Sequence, residues 1–287
     1  MMEKIAFKQS RVHQVFMQSH LQNFIENINL LNSNEQVTLV IADISVGWAL
    51  EVAGKMGIQR AAFVPNGVGN LAMIPHNPML IEAGIIDDYG IPMKDEFICL
   101  SNEIPAWNTN ELFNNLQQAQ FNELALGLET LGQPFLWVVQ FLRMECLWNF
   151  SDGFLNRVGK YGKIVEWAPQ EKVLAHPSTA CFFTHCGWNS TMKGLNMGVP
   201  FLCWPYCADQ FHNRSYICET WKVGLGLIPD DNGIVNRHEI KTKLEKLVYD
   251  KDIQANSLKL KEMARKSTSE GGSSFKNFIR FVEQINL

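Results

Sequence analysis

The sequence predicts an α/β protein built on parallel sheet, and two observations carry that prediction. Short, almost wholly apolar runs such as residues 37–42 and 135–139 have the composition of strands buried on both faces. Between them lie longer stretches whose apolar residues recur every three or four positions, the mark of helices. Strand and helix therefore alternate along the chain.

The elements follow in order. Residues 5–31 read as a helix, with Val12, Val15, Phe16, Phe24, Ile25, Ile28 and Leu31 mostly at helical spacing, and Asn32-Ser33-Asn34 ends it. The run 37–42 is a strand followed by Asp43. Residues 46–56 form a helix closed by Gly57, and 61–64 a second strand stopped by Pro65-Asn66-Gly67. Strand, helix and strand this close together make a βαβ unit. From 72 to 109, Pro75, Pro78, Pro92 and Pro105 leave only short helices and loops. A new unit begins near Phe113, with a helix over 121–131 and strands over 135–139, 163–166, 180–184 and 200–204. Helices at 239–249 and 257–266 follow. Glu270-Gly271-Gly272-Ser273-Ser274 then turns the chain into a last helix, 275–285. No repeat or low-complexity segment interrupts this order.

Composition narrows the function classes. The 287 residues are 46% hydrophobic, and 25 basic against 29 acidic side chains give a net charge of −4. Without a basic excess, nucleic acid and polybasic membrane surfaces are not expected as partners. No apolar run reaches the ~18–20 residues of a membrane helix. Residues 1–8 carry charges where a signal peptide would have an apolar core, so a cytoplasmic protein is expected. The seven cysteines, Cys99, Cys146, Cys181, Cys186, Cys203, Cys207 and Cys218, fit reduced thiols there. Neither Cys181/Cys186 nor Cys203/Cys207 has the two-residue gap of a zinc knuckle, so buried small hydrophobes are expected and no metal.

The stretch most informative about chemistry runs from Trp167 to Gln210, 44 residues. A strand ends at Thr184, and His185-Cys186-Gly187-Trp188-Asn189-Ser190-Thr191 leads into a helix that closes before Gly198. A strand running into a helix N-terminus presents free N–H groups and the positive end of a dipole, which suits a phosphate. Gly187 lets the backbone approach closely. Asn189, Ser190 and Thr191 can cap the helix or donate to phosphate oxygens, and His185 could donate to a pyrophosphate. The same pattern also fits an ordinary capped helix with a satisfied core histidine. The flanks add Trp167-Ala168-Pro169-Gln170, an indole face and an amide, and Asp209-Gln210, a carboxylate and an amide suited to sugar hydroxyls. All would lie at the C-terminal ends of parallel strands, the ligand edge of an open α/β sheet.

These three groups together resemble the signature box of the plant UDP-glycosyltransferases of secondary metabolism (glycosyltransferase family 1). Gly47-Trp48-Ala49-Leu50-Glu51-Val52-Ala53 and the run from Gln120 to Glu129 are similar to the same family, in its 83A-like subgroup. The resemblance implies a GT-B fold of two Rossmann-like domains. Residues 1–112 would be a partial N-terminal, acceptor-side domain and 113–270 the C-terminal domain that binds the UDP-sugar. Residues 271–287 would form a C-terminal helix packing back on the N-terminal part.

Carried onto this sequence, the resemblance implies that Trp167 stacks on uracil, the Ala168 backbone binds its edge and Gln170 binds ribose. His185, Asn189 and Ser190 would hold the diphosphate on the loop that Gly187 and Trp188 shape. Tyr206 would join the donor-binding set, while Asp209 and Gln210 would bind the sugar, glucose being suggested by the glutamine. Lys193 stands where the family usually has a ribose-binding glutamate, and an ammonium cannot accept those hydrogen bonds. The family's general base is a histidine after the first N-terminal strand. That strand has no counterpart here, and His13 and His20 lie in unrelated sequence on a helix. Asp43 matches the aspartate that orients the base. The first strand of the C-terminal domain, with its phosphate loop, is likewise missing between Leu112 and Gln120.

Two functions remain open at this point. One is inverting transfer of glucose from UDP-glucose to a hydroxyl of a small plant metabolite, phenolic or terpenoid, with no cofactor and no metal. The other is a catalytically silent UDP-sugar-binding module or a partner of full-length relatives. The missing segments favour turnover below a family-like rate and association through exposed sheet edges. Turnover of UDP-glucose with a phenolic panel separates the two.

Overall fold

In the computed structural model the described residues are 2–31, 36–43, 46–67, 76–86, 93–94, 96–98, 107–108, 118–139, 153–206, 209–231 and 233–285. The segment near Phe113 where the second unit was expected to begin, together with Cys99, Cys146 and Cys207, lies outside them.

Helix α1 (Met2–Leu31) leads to strand β1 (Leu39–Asp43), helix α2 (Trp48–Lys55) and strand β2 (Gln59–Phe63). The two strands pair in parallel from Leu39↔Gln59 to Asp43↔Phe63, so the expected βαβ unit is present. Helix α2 buries Ala49, Val52 and Ala53. Strand β1 departs from its expected burial on both faces. Only Ala42 is buried and Ile41 is 55% exposed, because β1 has a single neighbour, β2, among the described residues.

Helix α3 (Asn77–Glu82) and the antiparallel pair β3 (Phe97–Ile98) and β4 (Trp107–Asn108) fill the proline-broken region, around a small cluster of Leu80, Ile86 and Ile98. A regular alternation follows. Helix α4 (Gln118–Leu131) precedes β5 (Phe135–Val138), α5 (Phe154–Val158), β6 (Gly162–Val165), α6 (Gln170–Leu174) and β7 (Phe182–Thr184). Then come α7 (Trp188–Met197), β8 (Phe201–Cys203), α8 (Gln210–Ser215), a π-helical turn over Tyr216–Thr220 and β9 (Gly224–Gly226). Helices α9 (Arg237–Tyr249), α10 (Lys251–Thr268) and α11 (Ser273–Ile285) end the chain. Strands β5 and β6 pair in parallel, as do β7, β8 and β9 in that order.

The expected strands and tail helices are all found, with ends shifted by a few residues. Helix α5, strand β9 and the π turn were not legible. Strand β9 reads Gly-Leu-Gly and so forms no apolar run; a Cβ at Gly224 would meet the Phe201 carbonyl and the Ile217 side chain.

The described chain divides into two compact units: Met1–Pro65 with Glu270–Leu287, and Asn66–Ser269. The larger is held by Leu124, Leu128, Leu202, Leu227, Val235, Ile240, Leu244, Leu247 and Ile253, with Phe135, Trp137 and Phe183 packed against them. A polar clasp ties α4 to the start of α9. Gln120 is buried; its Nε2 donates to the Val235 carbonyl and its Oε1 accepts from the Val235 N–H, both at 2.7 Å. One turn on, Arg237 donates to Glu123 from its backbone N–H (2.7 Å), Nε (3.0 Å) and Nη2 (2.6 Å). That guanidinium holds the Glu123 carboxyl below its ordinary 4.5. Of the cysteines described, Cys186 and Cys203 are buried, Cys181 and Cys218 partly so, and all four are free thiols. Burial pushes Cys181 up to about 11. Among the described residues no helix is long and apolar enough to cross a membrane, and no cluster of His, Cys, Asp and Glu could hold a metal.

The clasp makes a stability prediction. Gln120→Ala strands a buried N–H and a buried carbonyl, so it should lower unfolding free energy by about 1–3 kcal/mol in urea titrations. The depressed Glu123 pKa contributes stability that is fully present above the carboxyl's unfolded value and is lost as pH falls through its folded one. Glu123→Gln should therefore flatten the loss of stability on acidification below pH ~4.5.

Candidate functional site

Three strand ends of the larger unit build one site. After β6 the chain passes through Trp167, Ala168 and Pro169 into α6. After β7 it passes through His185, Cys186 and Gly187 into α7, and after β8 through Trp204 and Tyr206 into α8. Parallel pairing puts such ends at one edge of a sheet. An open cleft of about 2320 Å³ is lined at this edge by Trp167, Ala168, Gln170, His185, Ser190, Lys193 and Tyr206. The sequence-derived residues thus converge, although Gly187, Trp188, Asn189, Asp209 and Gln210 do not line that cleft directly. Asp43 is the last residue of β1 in the other compact unit.

The turn after β7 is the most constrained feature. Cys186 has φ 66°, left-handed backbone that a residue with a Cβ rarely adopts. Its N–H donates to Thr184 Oγ1 at 3.2 Å, while its carbonyl accepts from Thr191 Oγ1 at 3.3 Å and from Asn213 Nδ2 at 2.9 Å. Asn213 also donates to Asp209 Oδ2 at 2.9 Å, which joins the β7 and β8 loops through one buried side chain. Gly187 is the N-cap of α7, and no side chain caps that end. Asn189, Ser190 and Thr191 therefore do not act as caps. Thr191 is fully buried and spent on Cys186, which removes it from the groups that could meet a phosphate. A Cβ at Gly187 would collide with the His185 imidazole, so glycine is needed for that ring to lie over the turn.

The remaining groups are tied by polar contacts. Gln170 Nε2 donates to Ser190 Oγ at 3.2 Å, linking α6 to α7. Gln210 is buried, and its Oε1 accepts the Tyr206 N–H at 3.0 Å. The Tyr206 ring lies 5.9 Å from His185. Partial burial draws the His185 imidazole below its ordinary 6.5, with Asp209 pulling the other way. Trp167 is 71% exposed, an indole face free to stack. Lys193 Nζ lies 3.4 Å from Glu171 Oε1. Both are well exposed, so the pair stabilises the fold by at most about 1 kcal/mol, but it fixes where the ammonium points. Sequence reasoning missed Thr184, Glu171 and Asn213. Only the asparagine had a signal available, four residues after Asp209 on one helix face.

Comparison with known proteins bears on the same residues. The family model described as UDP-glucoronosyl and UDP-glucosyl transferase matches residues 110–270. The chain is 29% identical to UDP-glycosyltransferase 83A1 of Arabidopsis thaliana over 370 aligned positions, spanning 94% of this chain and 78% of that protein. Because 370 exceeds the 287 residues here, that relative carries internal positions this chain lacks. With the limonoid UDP-glucosyltransferase of Citrus unshiu the identity is 42% over 178 residues, covering 59% of this chain but only 35% of the relative. Among solved structures, Phytolacca americana UGT2 in complex with UDP-2fluoro-glucose and pterostilbene superposes with a TM-score of 0.79 at 22% identity, over 94% of this chain and 78% of that one. A UDP-glucosyltransferase from Polygonum tinctorium gives 0.82 at 22% identity, over 96% and 81%. The fold is GT-B.

The turn geometry makes its own prediction. Gly187→Ala should displace the His185 ring, seen as a changed histidine side-chain shift in NMR spectra. Asn213→Leu should release the Cys186 carbonyl and lower stability by about 1–3 kcal/mol.

Proposed function

The chain belongs to the UDP-glucuronosyl and UDP-glucosyl transferase family, and we propose that it binds a UDP-sugar in the cleft at the ends of β6, β7 and β8 for glucosyl transfer to a small hydroxylated acceptor. The observation that carries this reading is the convergence of the exposed Trp167 indole, the His185 imidazole and Ser190 of the uncapped first turn of α7 on one cleft. Trp167 stacks on uracil, with the Ala168 backbone at the base edge and Gln170 at the ribose. His185 and the α7 N-terminus, through Asn189 and Ser190, take the diphosphate, where backbone N–H groups and the helix dipole both favour an anion. Asp209 and Gln210 face the sugar, Tyr206 forms part of the wall and Trp188 shapes the loop that holds the diphosphate.

Transfer is inverting in this reading. An acceptor oxygen attacks the anomeric carbon as the bond to the diphosphate breaks on the opposite face, and the proton of the acceptor passes to a base. His185 and the first turn of α7 stabilise charge developing on the departing UDP, which is where preorganised donors contribute most. Asp43 is the orienting partner for a base. Residues 1–112 form the acceptor-side part, 113–270 the donor domain and 271–287 a helix returning to the first part, a division that the grouping of Glu270–Leu287 with Met1–Pro65 supports in its last element. The donor is a substrate, and the reading needs no resident cofactor and assigns the protein to the cytoplasm.

Calorimetric titration tests the donor site. UDP should bind, and Trp167→Ala should weaken it by about 1–3 kcal/mol, the scale of base stacking on an aromatic platform. His185→Ala should weaken it too; unchanged affinity in both variants removes the assignment. Protonation of His185 adds positive charge beside the diphosphate, so UDP-glucose should bind more tightly as pH falls from 8 to 5.5, and His185→Gln should lose that dependence.

A second prediction concerns Lys193. Lys193→Glu supplies acceptor oxygens for ribose and should strengthen UDP binding, by up to about tenfold for a charged hydrogen bond. It also sets a carboxylate beside Glu171, so Lys193→Glu with Glu171→Gln should bind more tightly than the single substitution. Weaker binding in both would assign the ammonium to the phosphates instead.

A further inference from the structure

Three of the four described thiols gather at one place. Cys186 follows β7, Cys203 ends β8 and Cys218 lies in the π turn, and all three belong to one packed cluster with Phe201, Ile217 and Val223. The Cys203 thiol interacts with both of the others. Cys186 and Cys203 are fully buried, whereas Cys218 is only partly so. None of these sulfur atoms takes part in the donor site proposed above.

The three differ in chemistry. Cys186 Sγ donates to the Thr184 carbonyl at 3.6 Å, which keeps its proton in place. Burial holds the Cys203 thiol well above its ordinary 9.0, so it stays protonated and can donate. Cys218 is drawn below 9.0, first by the Cys203 thiol and then, against its partial burial, by the Arg214 and Lys243 cations, with Glu219 opposing them. The place of Arg214 is fixed by packing. It stands one helical turn before Cys218, and its guanidinium rests over Gly226, where a Cβ would meet Nε and Nη2 at 2.6 Å. Gly226 is the strand partner of Cys203. The Arg214 contact with the exposed Glu219 is long, at 3.9 Å, and so competes weakly for the cation. A partly exposed thiol in an electropositive setting, beside a second thiol, is the arrangement of oxidation-sensitive cysteines.

We propose that Cys218 and Cys203 form an oxidisable pair: Cys218 reduces a small hydroperoxide, and Cys203 then closes a disulfide between the π turn and the end of β8. In the first step the Cys218 thiolate attacks one peroxide oxygen. An S–O bond forms, the O–O bond breaks, and the departing hydroxide takes up a proton as water. In the second step the Cys203 sulfur attacks the Cys218 sulfenic sulfur. The S–S bond forms, the S–O bond breaks, and a second water leaves with the Cys203 proton. Two thiols and one hydrogen peroxide thus give one disulfide and two waters, the two electrons coming from the sulfurs. Peroxide need not reach the buried Cys203, because its neighbour delivers the oxidised sulfur.

The test is peptide mapping by mass spectrometry of the full chain after brief exposure to a few equivalents of hydrogen peroxide, with remaining thiols blocked before digestion. The expected product is an intramolecular Cys203–Cys218 link that dithiothreitol returns to two thiols. Cys203→Ala should leave Cys218 as a sulfenic acid that dimedone captures. Cys218→Ser should abolish the link and leave Cys203 reduced, and Arg214→Gln should slow oxidation of Cys218 severalfold. If a variant fails to fold, by circular dichroism, the map of the unaltered chain alone decides. Three results overturn the proposal: Cys218 reacting only after unfolding in urea, either sulfur linked to a different cysteine, or Cys218 oxidised with no link to Cys203. The readout does not involve UDP, so it stands or falls apart from the donor site.

Discussion

The left-handed turn at Cys186 is the constraint on which the site depends. A non-glycine residue in that conformation costs of order 1–3 kcal/mol and persists only where its surroundings over-determine it. Here they do. Thr184 holds the turn from the strand before it, Thr191 from the helix after it and Asn213 from the neighbouring loop. The result brings Ser190 of the first turn of α7 to the cleft and folds His185 back over Gly187. Because Asn213 also binds Asp209, the geometry at the end of β7 and the start of α8 is set by one buried amide.

The parallel sheet supplies the rest of the placement. Strands β7, β8 and β9 are short, three residues each, but Phe201, Leu202 and Cys203 of β8 are fully buried, and both faces are packed. This gives the loops rigid roots. The clasp of Gln120 and Glu123 on residues 235–237 fixes α4 against α9. By contrast, β5 and β1 expose apolar side chains that an interior strand would bury. The donor residues that follow β7 and β8 thus stand on the well-packed strands, while Trp167 and Gln170 follow β6, the partner of the more exposed β5.

Much of this was legible because its signals are local. Runs such as 135–139 and the helical spacing of 121–131 declare themselves without tertiary help. The residues Trp167, Gln170, His185, Ser190 and Tyr206 fall together once strands are assumed parallel, since each follows or flanks a strand end. What was hidden depends on contacts distant in sequence. Thr191 looked like a phosphate donor, but the Cys186 carbonyl claims it. Lys193 read only as an ammonium in the place of a ribose-binding glutamate, and its pairing with Glu171 of another helix left no mark in the sequence. Strand β9 has one apolar side chain between two glycines, and the π turn before it has no compositional mark. The family resemblance rested on the same strand-end residues, which explains why it named the donor site and left the acceptor open.

The central claim is that a nucleoside diphosphate sits where β6, β7 and β8 end. A crystal structure of the chain with UDP tests it most directly. The account predicts uracil against the Trp167 indole, with the diphosphate within hydrogen-bond distance of His185 and the N–H groups of Asn189 and Ser190. UDP bound elsewhere on the chain, with Trp167 and the first turn of α7 unoccupied, would contradict it.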